Sequence, residues 1–174
     1  MILLGSEHIK EEADCLVHHH GTRDPFQIAK ALGIHVIFDY DFQELKGMYK
    51  VILQSRFIFI NGNMSSRDKR TVCAHELGHD RFHQHFAKSG ILQEFMLYDM
   101  KSRMEYEANI FAAEFLIDDD DVLELVKEEQ DICYIAGEMD EDMNLVLIKI
   151  DEMRKRGYDL RVPYRPQSDF LSRN

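Results

Sequence analysis

The chain of 174 residues is poor in the features that would place it outside a reducing cytosol. It has three cysteines, Cys15, Cys73 and Cys133, odd in number, far apart and without a C-x-x-C pair. That excludes a disulfide framework as the staple of the fold and points to a reduced compartment. No apolar run approaches the roughly 18 residues that a membrane span needs. Met1-Ile2-Leu3-Leu4 is too short for a signal-peptide core and runs into acidic residues, so a cytoplasmic protein with no membrane partner is expected. Basic residues are also scarce, 21 Lys and Arg against 32 Asp and Glu, a net charge of -11. Unassisted nucleic-acid binding needs a basic patch, and this balance argues against it. What remains, 45% hydrophobic and 30% charged residues, is the make-up of a globular domain with a real core.

Against these absences stands one dense stretch, Thr71-Val72-Cys73-Ala74-His75-Glu76-Leu77-Gly78-His79. Residues four apart on an α-helix share a face, so His75 and His79 can aim their imidazoles at one metal ion. Glu76, one step round, can reach a water there as general base. The motif requires a helix, and Ser65-Ser66-Arg67-Asp68 supplies the S-x-x-D form of a helix start just before it.

The flanking pattern gives the rest of the architecture. Ile9, Ala13, Leu16 and Val17 recur at helical spacing from Glu7 to His20. The His18-His19-His20 run that ends this segment reads as a solvated helix end stopped by Gly21, since neighbours in a helix point in different directions. Asp24-Pro25 starts a second helix that Gly33 closes, with Phe26, Ile28, Ala29 and Leu32 inward. Strands are predicted over Ile34 to Phe38, with His35 at the surface, over Gly47 to Leu53, and over Phe57 to Ile60. Gln54-Ser55-Arg56 forms the hairpin loop between the last two.

Past the motif, His83 continues the His75/His79 face, but three ligands on one straight helix cannot converge on one ion. A supporting, partly buried role is expected for His83 and a solvated one for His85. The stretch from Phe86 to Lys101 is weakly periodic and reads as a loop over the site. A second core helix follows, with Met104, Ala108, Phe111 and Phe115 as its buried stripe and Glu105 and Glu107 flanking that stripe on either side. Asp118 to Asp121 read as a solvated acidic helix start rather than a calcium loop, leading into a helix from Val122 to Glu128. Two helical segments separated near Gly137 lie between Ile132 and Gly157 and faintly resemble a helix-turn-helix. From Asp118 to Glu152, however, fourteen acidic residues face only Lys127 and Lys149, a balance of -12, the wrong sign for a DNA-reading helix. The tail from Arg161 to Asn174, with Pro163 and Pro166, carries no regular pattern. The prediction is an α+β protein with a small sheet on the motif helix, a zincin-like domain over 1–128 and a helical extension over 129–174 packed on it.

A catalytic zinc site takes three protein ligands and keeps a position for water. No histidine lies beyond His85, and the longer H-E-x-x-H-x-x-G-x-x-H form is absent because position 82 is Phe. The third ligand is therefore expected to be a carboxylate on the second core helix, and either Glu105 or Glu107 can face inward. Tyr98, Tyr106 and His83 are the candidates for stabilising the tetrahedral intermediate.

At these residues the chain resembles the ImmA/IrrE family of metallopeptidases. Ile58 to Asn61, Ser65-Ser66-Arg67 and the Thr71–His79 stretch are similar to the family's strand, helix start and T-x-A-H-E-L-G-H. His83 matches a histidine often found four residues on, and Glu105-Tyr106-Glu107-Ala108-Asn109-Ile110-Phe111-Ala112-Ala113 is similar to its E-x-E-A-N-x-F-A-A segment. The likeness covers about residues 24 to 117 and departs at Leu116-Ile117-Asp118, where the family usually has Leu-Met-Pro. It implies zinc bound by His75, His79 and Glu107, with Glu76 as the catalytic base. It further implies a protein substrate, a helix-turn-helix repressor of a phage, mobile element or stress regulon. The competing expectation is a non-proteolytic anti-repressor that binds such a repressor through its acidic surface.

Overall fold

The structure, a computed structural model, describes residues 6–88, 98–127 and 131–161. Its architecture is α+β, mostly helical, with one three-stranded sheet. Helix α1 (Glu7–His20) and helix α2 (Pro25–Ala31) come first, followed by strands β1 (Ile34–Asp39), β2 (Gly47–Ile52) and β3 (Ser55–Asn61). Helix α3 (Ser66–Phe82) carries the motif, and α4 (Gln84–Lys88) follows at once. Helix α5 (Tyr98–Leu116), α6 (Asp119–Lys127), α7 (Ile132–Glu138) and α8 (Met143–Lys155) complete the described chain.

The helix ends follow from local chemistry. Gly21 stops α1 in the left-handed conformation at φ 66°, where a residue without Cβ costs nothing. Asp24 accepts the Phe26 N–H ahead of Pro25, and Ser65 accepts the Asp68 N–H ahead of α3. Asp131 and Asp142 cap α7 and α8 in the same way.

The strand order is β1-β3-β2, with β3 central, parallel to β1 and antiparallel to β2. Ile58 and Ile60 on β3 are buried under the helical layer, whereas His35, Phe57 and Phe59 stack on the opposite face. The hairpin is tighter than expected. Ile52 pairs with Ser55, so the loop is Leu53-Gln54, both with positive φ of 48° and 67°, and Ser55 and Arg56 belong to β3. A two-residue loop of this handedness matches the twist of the paired strands, and that favours it over the three-residue loop.

Two further expectations are corrected. The stretch from Phe86 to Lys101 is not a loop throughout: α4 occupies its start and α5 begins at Tyr98, while 89–97 lies outside the described residues. Helix α5 is not buried along a single stripe either. Every residue from Ala108 to Leu116 is buried, because α1, α3 and α8 all pack on it. Phe111 and Phe115 stack 5.7 Å apart at the centre of this layer. Apolar residues of α7 and α8 belong to the same continuous core as those of α1, α2 and α5. Of the tail from Arg161 to Asn174, all but Arg161 lies outside the described residues. Among the described residues no helix is long and apolar enough to cross a membrane.

The acidic start of α6 is less solvated than its composition implies. Asp118 pairs with Arg23, and Asp119 joins buried Lys149, Arg156 and Lys10 around the buried Glu114 of α5.

Candidate metal centre

The site is built where α3 meets α5. A Cβ added at Gly78 would stand 3.0 Å from Ala108 Cα and 3.2 Å from Phe111 Cβ, so the two helices touch backbone to backbone there. Glu105 is one turn before Ala108 and Asn109 and shares their face, which turns it toward α3. Asn109, fully buried, neighbours His75 on this face.

His75 Nε2 lies 3.2 Å from His79 Nε2. Glu105 Oε2 is 3.3 Å from His75 Nε2, and its Oε1 is 3.5 Å from His79 Nε2. Among the described residues these three form the group of donors that converges as a metal site would require. Tetrahedral ligands about 2.0–2.1 Å from a cation stand about 3.3 Å from one another, so the three separations match the edges of such a tetrahedron. His75 is buried, but the side chains of His79 and Glu105 keep 13% and 23% exposure, which leaves one side open for water and substrate. The donor set fits a divalent zinc-like cation.

Glu107 is not part of this group. Two residues on from Glu105 it is turned about 200° around the helix, and its Oε2 stands 3.1 Å from His83 Nε2, while Arg103 Nε donates to its Oε1 at 2.8 Å. The likeness to the ImmA/IrrE pattern implied Glu107 as the third ligand; the structure instead brings Glu105 to His75 and His79. His83 is the first residue past α3, buried, with its Nδ1 2.9 Å from His79 Nδ1. It stands behind His79, on the side away from His75 Nε2, and so avoids the impossible third position on a straight helix. His85 is exposed. Of the candidates for stabilising the intermediate, Tyr106 donates to Glu152 on α8, and the side chain of Tyr98 lies outside the described residues.

The charges of the site follow from burial and neighbours. Burial lifts Glu76, the charge of Glu105 adds to that, and His75 and the Tyr49 backbone N–H pull it back, leaving a pKa raised to about 7. Gly47 makes room for this carboxylate: a Cβ there would meet Val72 Cγ1 at 2.3 Å and Glu76 Oε1 at 3.0 Å. Burial and the charge of His75 lower His79 to about 3, which keeps its imidazole neutral, as a ligand must be. For His75, burial opposes the charged form but the hydrogen bond it donates to Glu105 and the charge of Glu76 outweigh it, and its pKa is raised. Burial lowers His83 against the pull of Glu107. Burial would raise Glu107, yet hydrogen bonds from Arg103 and His83 hold it below the usual carboxylate range.

One supporting network was missed in the sequence. Asp80, buried directly after His79, accepts from Tyr49 Oη at 2.8 Å and from Arg56 Nη1 at 3.0 and 3.1 Å. Arg56 also reaches the Leu32 carbonyl, so the network ties β2, β3 and the end of α2 to the metal helix. The available signal was an acidic residue on the apolar face that Val72, Cys73 and Leu77 define, a position that demands a cationic partner.

Residues 29–147 match the IrrE N-terminal-like domain of peptidases. The chain is similar to uncharacterized immunity region protein 2 of Bacillus phage phi105, 33% identical over 111 residues, which are 64% of this chain and 69% of that protein. It is also similar to the metallopeptidase ImmA of Bacillus subtilis (strain 168), 24% identical over 114 residues, or 66% of each chain.

Proposed function

The chain belongs to the ImmA/IrrE family, and from that premise we propose that it is a zinc-dependent endopeptidase that cuts a regulatory protein. The observation that carries the reading is the tetrahedral spacing of His75, His79 and Glu105 beside the buried carboxylate of Glu76. Two imidazoles and a carboxylate are a set that zinc favours among available cations.

A cation held by these three groups supplies Lewis acidity, lowering the pKa of a water and polarising a peptide carbonyl. The remaining work falls to the chain. Glu76, raised to about 7, accepts a proton on its carboxylate from the attacking water and returns it to the departing amine, both near neutral pH. Gly47 and the Tyr49 N–H hold that carboxylate in place against β2. Asp80, pinned by Tyr49 and Arg56, fixes the turn of α3 that carries His79.

The proposed substrate is a helix-turn-helix repressor of a phage, mobile element or stress regulon. The family likeness supports this, as does the similarity to an immunity region protein of a phage. The three cysteines, all unpaired, support a cytoplasmic site of action. The test is incubation with the repressor encoded beside the gene, with and without chelator, read by intact mass. Cleavage at one bond is expected and chelator should stop it. Glu76→Gln should retain zinc and lose cleavage by about 10²–10⁴-fold. A Glu76→Gln variant that keeps zinc and still relieves repression fully would instead establish the docking anti-repressor.

A further inference from the structure

Behind His79, on the side away from the cation position, three groups stand in line without any task in the reaction just described. His79 Nδ1 lies 2.9 Å from His83 Nδ1, His83 Nε2 lies 3.1 Å from Glu107 Oε2, and Glu107 Oε1 takes the Arg103 Nε–H at 2.8 Å. His83 is held there firmly. It is 4% exposed, and its own backbone N–H is bonded to the His79 carbonyl at 2.9 Å as α3 ends.

Donor and acceptor chemistry leaves little freedom in this line. A carboxylate only accepts, so the ring nitrogen of His83 facing Glu107 must carry a proton. A neutral His83 with its proton on Nε2 presents a bare Nδ1. Two ring nitrogens 2.9 Å apart need a proton between them, and it must then come from His79. A neutral His79 that keeps its proton on Nδ1 has its lone pair on Nε2, the atom that faces His75 and Glu105.

We infer that His83 and Glu107 are positioning residues for the metal centre, a two-step relay in which the Glu107 carboxylate fixes the tautomer of His83 and His83 in turn fixes the tautomer and ring angle of His79. Arg103 occupies the second oxygen of Glu107 and aligns the carboxylate with His83. Single carboxylate partners behind a metal-bound histidine are a general device for raising ligand basicity; here a second histidine extends that device by one residue. The inference rests on the metal reading above, and it gives Glu107 a task other than that of ligand.

The experiment uses the full chain, labelled with ¹⁵N-histidine and loaded with zinc, together with zinc affinities from chelator competition. The spectra should show His79 protonated on Nδ1 and His83 protonated on Nε2. Glu107→Gln and His83→Phe should each weaken zinc binding by about 10–100-fold. The double variant should be no weaker than His83→Phe alone, because both changes break one relay. Glu105→Gln should lose far more affinity than either. Thermal midpoints of the zinc-free proteins check folding, and if His83→Phe does not fold, the near-isosteric Glu107→Gln with its His83 spectrum decides. A wild-type His83 protonated on Nδ1, or a Glu107→Gln that binds zinc as the wild type does, overturns the relay. So does a Glu107→Gln as deficient as Glu105→Gln, which would make Glu107 a ligand. A folded wild-type protein that takes no zinc overturns the metal reading itself, a result separate from all of these.

Discussion

At the scale of single residues, the spacing of the candidate metal site depends on one atom that is absent, the Cβ of Gly78. Ala108 Cα lies 3.0 Å from where that Cβ would be, and backbone cannot swing aside as a side-chain tip can. Gly78→Ala should therefore push α5 away from α3, destabilising the fold by about 1–3 kcal/mol. Because Glu105 rides on α5 and the histidines on α3, zinc affinity should fall with it. Denaturant melts and chelator competition check both, and an Ala variant with wild-type affinity would mean the helix contact does not set the ligand spacing. The same geometry explains what could be read beforehand. His75, Glu76 and His79 are fixed by spacing within one helix, which is legible from sequence alone. Which of Glu105 and Glu107 faces His75 and His79 depends on how α5 is rotated against α3, and the close contact of Gly78 with Ala108 and Phe111 fixes that rotation. Flanking an apolar stripe left both carboxylates eligible; only the inter-helix contact separates them.

At the scale of elements, the legible boundaries are those with local chemistry: the Ser65 cap, the Asp24-Pro25 start and the Gly21 stop each act within a few residues. The illegible ones depend on distant partners. Ala108 to Leu116 is buried all round because three helices surround it, a condition no window of sequence contains. The β2–β3 hairpin is an intermediate case. Its register brings Leu53 and Gln54 into left-handed conformations that neither residue favours, and Leu53 is 95% exposed there. Each such residue costs roughly 1–2 kcal/mol relative to one that adopts the conformation freely. Replacing the pair by Asn-Gly, the sequence this turn prefers, should raise stability by about 1–2 kcal/mol with zinc affinity unchanged. A lowered melting midpoint would show that Leu53 or Gln54 makes a contact worth more than the strain.

At the scale of the whole molecule, the acidic excess is partly folded inward, and this changes what pH does to the protein. The segment from Asp118 to Glu152 reads as a continuous acidic surface, yet Asp118, Asp119, Glu141 and Glu152 each meet a cation from another part of the chain or from the end of α8. Lys149, counted in the sequence as a stray positive charge, is buried between Glu114 and Asp119. Helix α8 is buried over most of its circumference. Glu141 shows the cost of such burial. It joins the α7–α8 turn to Arg70 on α3 with only 2% of its side chain exposed. Desolvation outweighs the Arg70 ion pair and raises its pKa to about 7. In the unfolded chain the same group ionises near 4.5, so between the two values the native state binds the extra proton. The stabilisation it provides is complete below about 4.5 and is lost as pH rises through about 7. Glu141→Gln keeps the uncharged shape at every pH. The difference in melting midpoint, variant minus wild type, should thus grow in favour of the variant from pH 5 to pH 8. A difference that instead shrinks over that range would mean the Arg70 pair dominates and that Glu141 is held ionised.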